Sequence, residues 1–162
     1  ALLPVELARQ LKPFLPAGVE AGGFSDAYHE AVAAVEQPRL KRLDEFSAQA
    51  GYFYAEPDYA VDELFWKQMG STDVAASLRR SLTIIEKLGA DDFTAATLAA
   101  KFLREIGSGD KGGLLWPLRV ALTGARASAG PFEVLSALAT RPDGQGLIKK
   151  RLERALEKIA PA

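Results

Sequence analysis

"KGGLLWPLRVALTGARASAGPFEVL", from Lys111 to Leu135, decides how the rest of the chain is read. Its first half is apolar at helical spacing, with Arg119 in the middle. The Thr123-Gly124 step stops the pattern, because glycine closes a helix in the left-handed conformation at little steric cost. A run of small residues follows, carrying a second arginine, Arg126, and Pro131 opens the next helix at its first turn. A helix–loop–helix corner with two arginines around a loop of small side chains needs a reason.

Outward from that corner the pattern stays helical. Val5, Leu7, Leu11, Phe14 and Leu15 follow a period near 3.6 after Pro4. Ser25 is a good N-cap for a helix through Tyr28, Val32 and Val35. "QPRLKRLDEF" predicts one helix from Gln37, with Pro38 in its first turn and Leu40, Leu43 and Phe46 on one face. "GYFYAEPDYA" is turn-rich and aromatic; it reads either as a short strand or as packing between helices, and Gly51 and Pro57 favour packing. A short helix is predicted around Leu64, Phe65 and Met69, ending at Gly70. "STDVAASLRRSLTIIEKLG" and "DDFTAATLAAKFLREIG" each have a capped start and a glycine end, and a last helix covers roughly residues 145–159. Period-two strand signals are nearly missing. The expected fold is all-α, two packed helical subdomains, with 1–70 and 71–162 divided at Gly70-Ser71. Leu40, Leu43, Phe46, Leu78, Leu82, Ile85, Leu118 and Leu122 are the predicted core.

Composition narrows the class. A chain of 162 residues with 48% hydrophobic and 25% charged residues has a real core and no run long enough to span a bilayer. No secretory signal opens it, and the start in mid-pattern without methionine suggests a piece of a longer protein. Cysteine is absent and His29 is the only histidine, which removes disulfides, thiolate metal sites and histidine relays. Lack of disulfides suits the cytoplasm. Residues 1–70 hold 6 Lys/Arg against 11 Asp/Glu, and residues 71–162 hold 14 against 10. The basic half leaves room for an anion-binding face, although a solvated surface gives the same imbalance.

No catalytic constellation emerges. "GSGDKGG" is glycine-rich, but Lys111 precedes Gly112 and Gly113 and no strand leads in, so it reads as a helix–helix connection and not a phosphate loop. Asp91 and Asp92, like Asp44 and Glu45, are adjacent and diverge on a helix. Neither pair is a general acid/base couple. His29 has no marked partner.

The corner and its flanks resemble a known family. "PLRVALTG", a loop, then "GPFEVL" is similar to the C-terminal anticodon-binding region of bacterial glutamyl-tRNA synthetases. "LKPFL" at Leu11–Leu15, "QPRLKRLDEF" at Gln37–Phe46 (a Q-x-R-x-x-x-L-x-E segment), "YFYAEPDY" at Tyr52–Tyr59 and "RLERAL" at Arg151–Leu156 resemble further family segments in family order. Two departures stand out. Many relatives read T/S-P-G where this chain has Ser128-Ala129-Gly130, and the two ATP-binding signature motifs of the family's catalytic half are absent.

The resemblance implies an α-helical cage that holds the anticodon loop of tRNA-Glu. It places Arg39 at the third anticodon base, Arg119 at the first base with Trp116 lining the same pocket, and Ser128, Ala129 and Pro131 on the loop that touches the middle base. Lys101 and Arg104 fall near a further basic contact. Arg126 has no firm family role: a phosphate contact and plain solvation both stay open. Trp116 reads as a stacking face or as a core residue, and Lys149, Lys150, Arg151 and Arg154 as a backbone-binding patch or a solubilising one. The implied parent is a monomer that joins glutamate to tRNA-Glu with ATP and magnesium in a catalytic domain of the same chain. This segment would bind no cofactor and no metal and catalyse nothing. The rival reading is a helical protein-interaction module without an RNA role.

Overall fold

The computed structural model describes residues 2–160. Among them stand eight α-helices and no strand: α1 (Pro4–Leu11), α2 (Asp26–Glu36), α3 (Phe46–Gln49), α4 (Ser71–Glu86), α5 (Ala95–Ile106), α6 (Lys111–Thr123), α7 (Pro131–Leu138) and α8 (Gly144–Ile159). Their ends follow the capping chemistry in the sequence. Ser25 accepts the Tyr28 amide at 3.1 Å, Thr94 accepts the Thr97 amide at 3.2 Å, and Asp110 accepts the Gly112 amide at 3.1 Å. Gly124 ends α6 at φ 65°, and a Cβ there would sit 2.9 Å from the Pro57 side chain.

Pro117 lies inside α6, where its missing N–H frees the carbonyl of Gly113. The Ser77 hydroxyl of α4 donates to that carbonyl at 2.7 Å. The helix continues because a neighbour replaces the bond that proline removes.

Two expected helices are different. The stretch from Gln37 to Phe46 is not one helix. A 3-10 turn at Gln37–Arg39 runs on from α2, Leu40 and Arg42 are extended, and a second turn at Leu43–Glu45 leads into the short α3. Pro38 therefore terminates a helix instead of starting one, and Glu45 accepts the Lys41 and Arg42 amides at 3.0 and 3.2 Å in place of helical bonds. Leu40 and Leu43 are left only half-buried, as is Leu82, whereas Phe46, Leu78, Ile85, Leu118 and Leu122 are buried. Around Leu64 there is a single 3-10 turn, Val61–Leu64; the chain then extends at Phe65 and turns with Lys67 at φ 50°.

The aromatic stretch lies in the core between helices, without strand structure. Tyr52, Phe53, Tyr54 and Tyr59 are buried, and α8 reaches down to the carbonyls of this irregular segment. Arg151 donates to Ala55 O at 3.3 Å and Lys158 donates to Tyr59 O at 3.0 Å. Arg151 also donates to Leu122 O at 2.7 Å, at the open end of α6. It is 2% exposed. Of the basic patch expected on α8, Arg151 is thus an internal strut, and Arg154 pairs with Glu56 at 3.0 Å. Lys149 and Lys150 remain exposed. His29 is buried: Nε2 donates to Ala21 O at 2.9 Å and Nδ1 accepts from the Tyr54 hydroxyl at 3.0 Å, which the neutral Nε2–H tautomer satisfies.

Candidate nucleic-acid interface

The corner between α6 and α7 is fixed from within. Thr123 Oγ1 donates to Arg119 O at 2.8 Å and accepts the Ala125 amide at 3.1 Å, so the turn after α6 is tied to the helix. Arg119 uses one nitrogen to hold the far side of the loop. Its Nη1 donates to Ser128 O at 3.0 Å, Ser128 Oγ at 3.1 Å and Ala129 O at 3.4 Å. No protein acceptor takes Nε–H or Nη2–H among the described residues. Those two form the side-on fork of the guanidinium, a pair of parallel donors.

Arg39 is anchored in the same manner. Its Nη1 donates to Glu36 Oε2 at 2.7 Å, its side chain is 29% exposed, and its side-on fork has no protein partner among the described residues. Glu36 is fully buried, on the inner stripe of α2 with Val32 and Ala33. Its second oxygen accepts the Tyr52 hydroxyl at 2.6 Å, and the Tyr52 oxygen faces the Ala129 amide at 3.4 Å. Burial raises the pKa of Glu36 above the usual carboxylate range, opposed by Tyr52 and Arg39 and reinforced by Glu133. Burial likewise pushes the Tyr52 phenol up, with the Glu36 carboxylate acting in the same direction.

Four of the predicted residues, Arg39, Arg119, Ser128 and Ala129, therefore meet in one hydrogen-bonded network. Pro131 joins it covalently, as the buried first residue of α7. Ala129 is 3% exposed, so its methyl group is not on offer; of the loop residues predicted to touch a base, Ser128 is the accessible one.

Trp116 and Arg126 meet beside this network at Glu63. Trp116 is half-buried and donates Nε1–H to Glu63 O at 2.9 Å, while Arg126 pairs with the Glu63 carboxylate at 2.5 Å in the open. The Trp116 ring packs on Trp66 at 5.2 Å between ring centroids. Trp66 fits there because Gly112 has no side chain: a Cβ on it would lie 2.5 Å from the indole. Lys101 and Arg104 are not brought into the network. They line a separate cleft of about 290 Å³ between α4 and α5, together with Arg80 and Lys87 and a single acid, Glu105.

Sequence reasoning missed Glu36, Tyr52, Glu63 and Trp66. Glu36 carried a readable signal, because it follows Val32 by four residues and so falls on the buried stripe, where a charge requires partners. Glu63 and Trp66 carried none, since a 3-10 turn and the irregular chain after it bring them to α6.

Among the described residues no group of acidic or histidine side chains could hold a metal ion, and no helix is long and apolar enough to cross a membrane.

Comparison with known proteins gives a consistent picture. A family model described as "Anticodon binding domain" matches residues 6–156. The glutamate–tRNA ligase of Thermus thermophilus is 34% identical over 161 residues, covering 93% of this chain and 30% of that protein. Glutamate–tRNA ligase 1 of Syntrophomonas wolfei is 32% identical over 140 residues, covering 83% of this chain and 26% of that protein. The crystal structure of a glutamate tRNA ligase from Elizabethkingia meningosepticum in complex with its amino acid superposes with a TM-score of 0.75 at 17% identity, over 98% of this chain and 30% of that one. That likeness is one of fold. The chain spans less than a third of the length of these relatives.

Proposed function

The chain belongs to the anticodon binding domain family, and we propose that it recognises the anticodon loop of tRNA-Glu as one part of a glutamate–tRNA ligase. The whole ligase would attach glutamate to tRNA-Glu in the cytoplasm, acting as a monomer, with ATP and magnesium held by a catalytic domain of the same polypeptide. No residue of this chain is assigned to either. Its task is to bind and to discriminate. Residues 1–70 and 71–162 serve as its two halves, one supplying Arg39 and the other Arg119.

The observation that carries this reading is the pair of arginines, each fixed by Nη1 and each with its side-on fork unclaimed by protein among the described residues. Single-stranded loop bases are read by splaying them out and bonding their edges, which requires donors held in place and not yet used. Cytosine offers O2 and N3, both acceptors, on its pairing edge, whereas guanine offers N1–H and N2–H there. An arginine fork only donates, so at the third base it accepts cytosine and opposes guanine. tRNA-Glu ends its anticodon in C and tRNA-Gln in G. Arg119 is proposed at the first base with Trp116 beside it, and the Ser128–Pro131 loop at the middle base. Lys101, Arg104 and Arg126 are proposed as contacts to the phosphate backbone.

The test is Arg39→Gln in the full-length ligase, with charging of tRNA-Glu and tRNA-Gln compared at one fixed salt concentration. A glutamine amide both donates and accepts, so the preference for tRNA-Glu should shrink by about 1–3 kcal/mol, mainly through better use of tRNA-Gln. Equal loss on both tRNAs would reduce Arg39 to a phosphate contact. No change on either would mean that the role the family resemblance implies for Arg39 does not hold in this chain.

A further inference from the structure

A proline at position 129, as in the T/S-P-G pattern of the family this chain resembles, would have no N–H to donate. This chain has Ala129, and its amide faces the Tyr52 hydroxyl at 3.4 Å. The bond is long, but it begins a directed series. Ala129 N–H points to the Tyr52 oxygen, the Tyr52 O–H donates to Glu36 Oε1 at 2.6 Å, and Glu36 Oε2 accepts from Arg39 Nη1 at 2.7 Å. Both ends matter to the site, since one is the loop residue between Ser128 and Gly130 and the other is Arg39, whose side-on fork has no protein partner among the described residues. The two intermediates are buried: Glu36 is 0% and Tyr52 7% exposed. Buried polar series of this kind polarise one another and behave as a unit. The first link of the series also crosses between the two halves of the chain, Tyr52 coming from one and Ala129 from the other, as do the polar contacts at Glu63 and Glu56. Arg119 extends it, because the carbonyl of the same Ala129 lies 3.4 Å from Arg119 Nη1.

We propose that Tyr52 and Glu36 are positioning residues that couple the third-base arginine to the middle-base loop, so that the two bases are read jointly and not as independent contacts. The inference rests on the anticodon reading above and adds to it. Neither residue touches RNA. Each holds a reader in register with the other, so a wrong base at one position loosens the frame on which the second base depends. The penalty for two wrong bases is then smaller than the product of the single penalties.

The experiment is a double-mutant cycle on the tRNA, read in the full-length ligase at fixed salt. Four tRNA-Glu transcripts are charged: unaltered, third base C changed to G, middle base changed, and both changed. In the wild-type enzyme the doubly altered tRNA should retain kcat/KM about 3–10-fold above the product of the single losses, the usual scale of coupling between groups in one network. Tyr52→Phe keeps the ring and removes only the hydroxyl, and with it the losses should multiply to within about twofold. A purely structural role for Tyr52 would lower the thermal midpoint and leave the coupling intact. Ala129→Pro provides the second variant, removing the amide while keeping Tyr52, Glu36 and Arg39, and it should abolish the coupling too. The proposal falls if Tyr52→Phe keeps the wild-type coupling, if Ala129→Pro keeps it while Tyr52→Phe does not, or if the wild-type losses already multiply. Indifference of the wild-type enzyme to both bases would instead bring down the anticodon reading itself, a separate and recognisable result.

Discussion

Replacing Arg151 by methionine tests whether a buried cation holds the recognition corner in place. Arg151 Nη1 donates to Leu122 O at 2.7 Å, and Leu122 is one of the last residues of α6, whose carbonyls have no helical donor. A bond from a charged donor to such a buried acceptor contributes about 1.5–3 kcal/mol. The contact to Ala55 O at 3.3 Å is longer and Ala55 is exposed, so water replaces it at little cost. Glu56, 44% exposed, keeps Arg154 as a partner, and losing its 3.4 Å contact with Arg151 costs about 0.5 kcal/mol or less. Against these stands relief of a buried charge: burial lowers the pKa of Arg151, with Glu56 opposing, and Nε has no hydrogen-bond partner among the described residues. That relief returns about 1 kcal/mol, because methionine fills a similar volume. The net loss is about 1.5 kcal/mol, or about 3–6 °C in thermal midpoint for a domain of this size. Circular dichroism melts of wild type, Arg151→Met and Arg151→Lys give the comparison, with lysine in between because a single ammonium cannot span Leu122, Ala55 and Glu56. Hydrogen exchange should show faster amides between Gly124 and Gly130. A methionine variant as stable as wild type would mean that desolvation outweighs the cap and that α6 ends without help from α8.

Other outcomes follow from the same geometry. Gly112→Ala places a Cβ 2.5 Å from the Trp66 indole, an overpacking cost of about 1–3 kcal/mol against a helix-propensity gain of about 1 kcal/mol. Calorimetry should show a net loss of about 1 kcal/mol, and a gain in stability would show that Trp66 moves aside freely. Glu36→Gln makes the pH dependence diagnostic. Burial holds the folded-state pKa of Glu36 above its ordinary 4.5, so the stability that protonation brings is fully present below the unfolded pKa and is lost as pH rises through the folded one. The wild-type midpoint minus that of Glu36→Gln should therefore increase on going from pH 7 to pH 4.5. A decrease would mean that the ion pair with Arg39 outweighs the burial of the carboxylate.

Much of the helical plan was legible because its signals are local. Ser25 caps α2, Gly124 ends α6 and Pro131 starts α7, each for reasons contained within a few residues. The failures have a common cause. Pro38 can start a helix or end one, and only the packing of α2 and the side chain of Glu45 decide between them. Arg151 and Glu36 both occupy positions on buried stripes, Arg151 with Ile148, Leu152 and Ala155 and Glu36 with Val32 and Ala33. Composition alone places such charges outside, and their partners come from distant segments. Resemblance to a family singled out Arg39, Arg119 and Ser128, and the structure joins them in one hydrogen-bonded network. The residues that anchor them were not legible, since Tyr52 and Ala129 are 77 positions apart in the chain.

The tryptophan pair has a use outside recognition. Trp66 and Trp116 are the only two tryptophans in the chain, they lie in different halves of it, and their rings are 5.2 Å apart. Indole emission therefore reports one junction and nothing else, whereas far-ultraviolet dichroism reports all the helices at once. If the halves come apart before either melts, the emission changes first and the two curves separate. If they melt together, the curves coincide, as all-or-none unfolding requires. The chain carries its own optical gauge of whether it behaves as one cooperative body or as two.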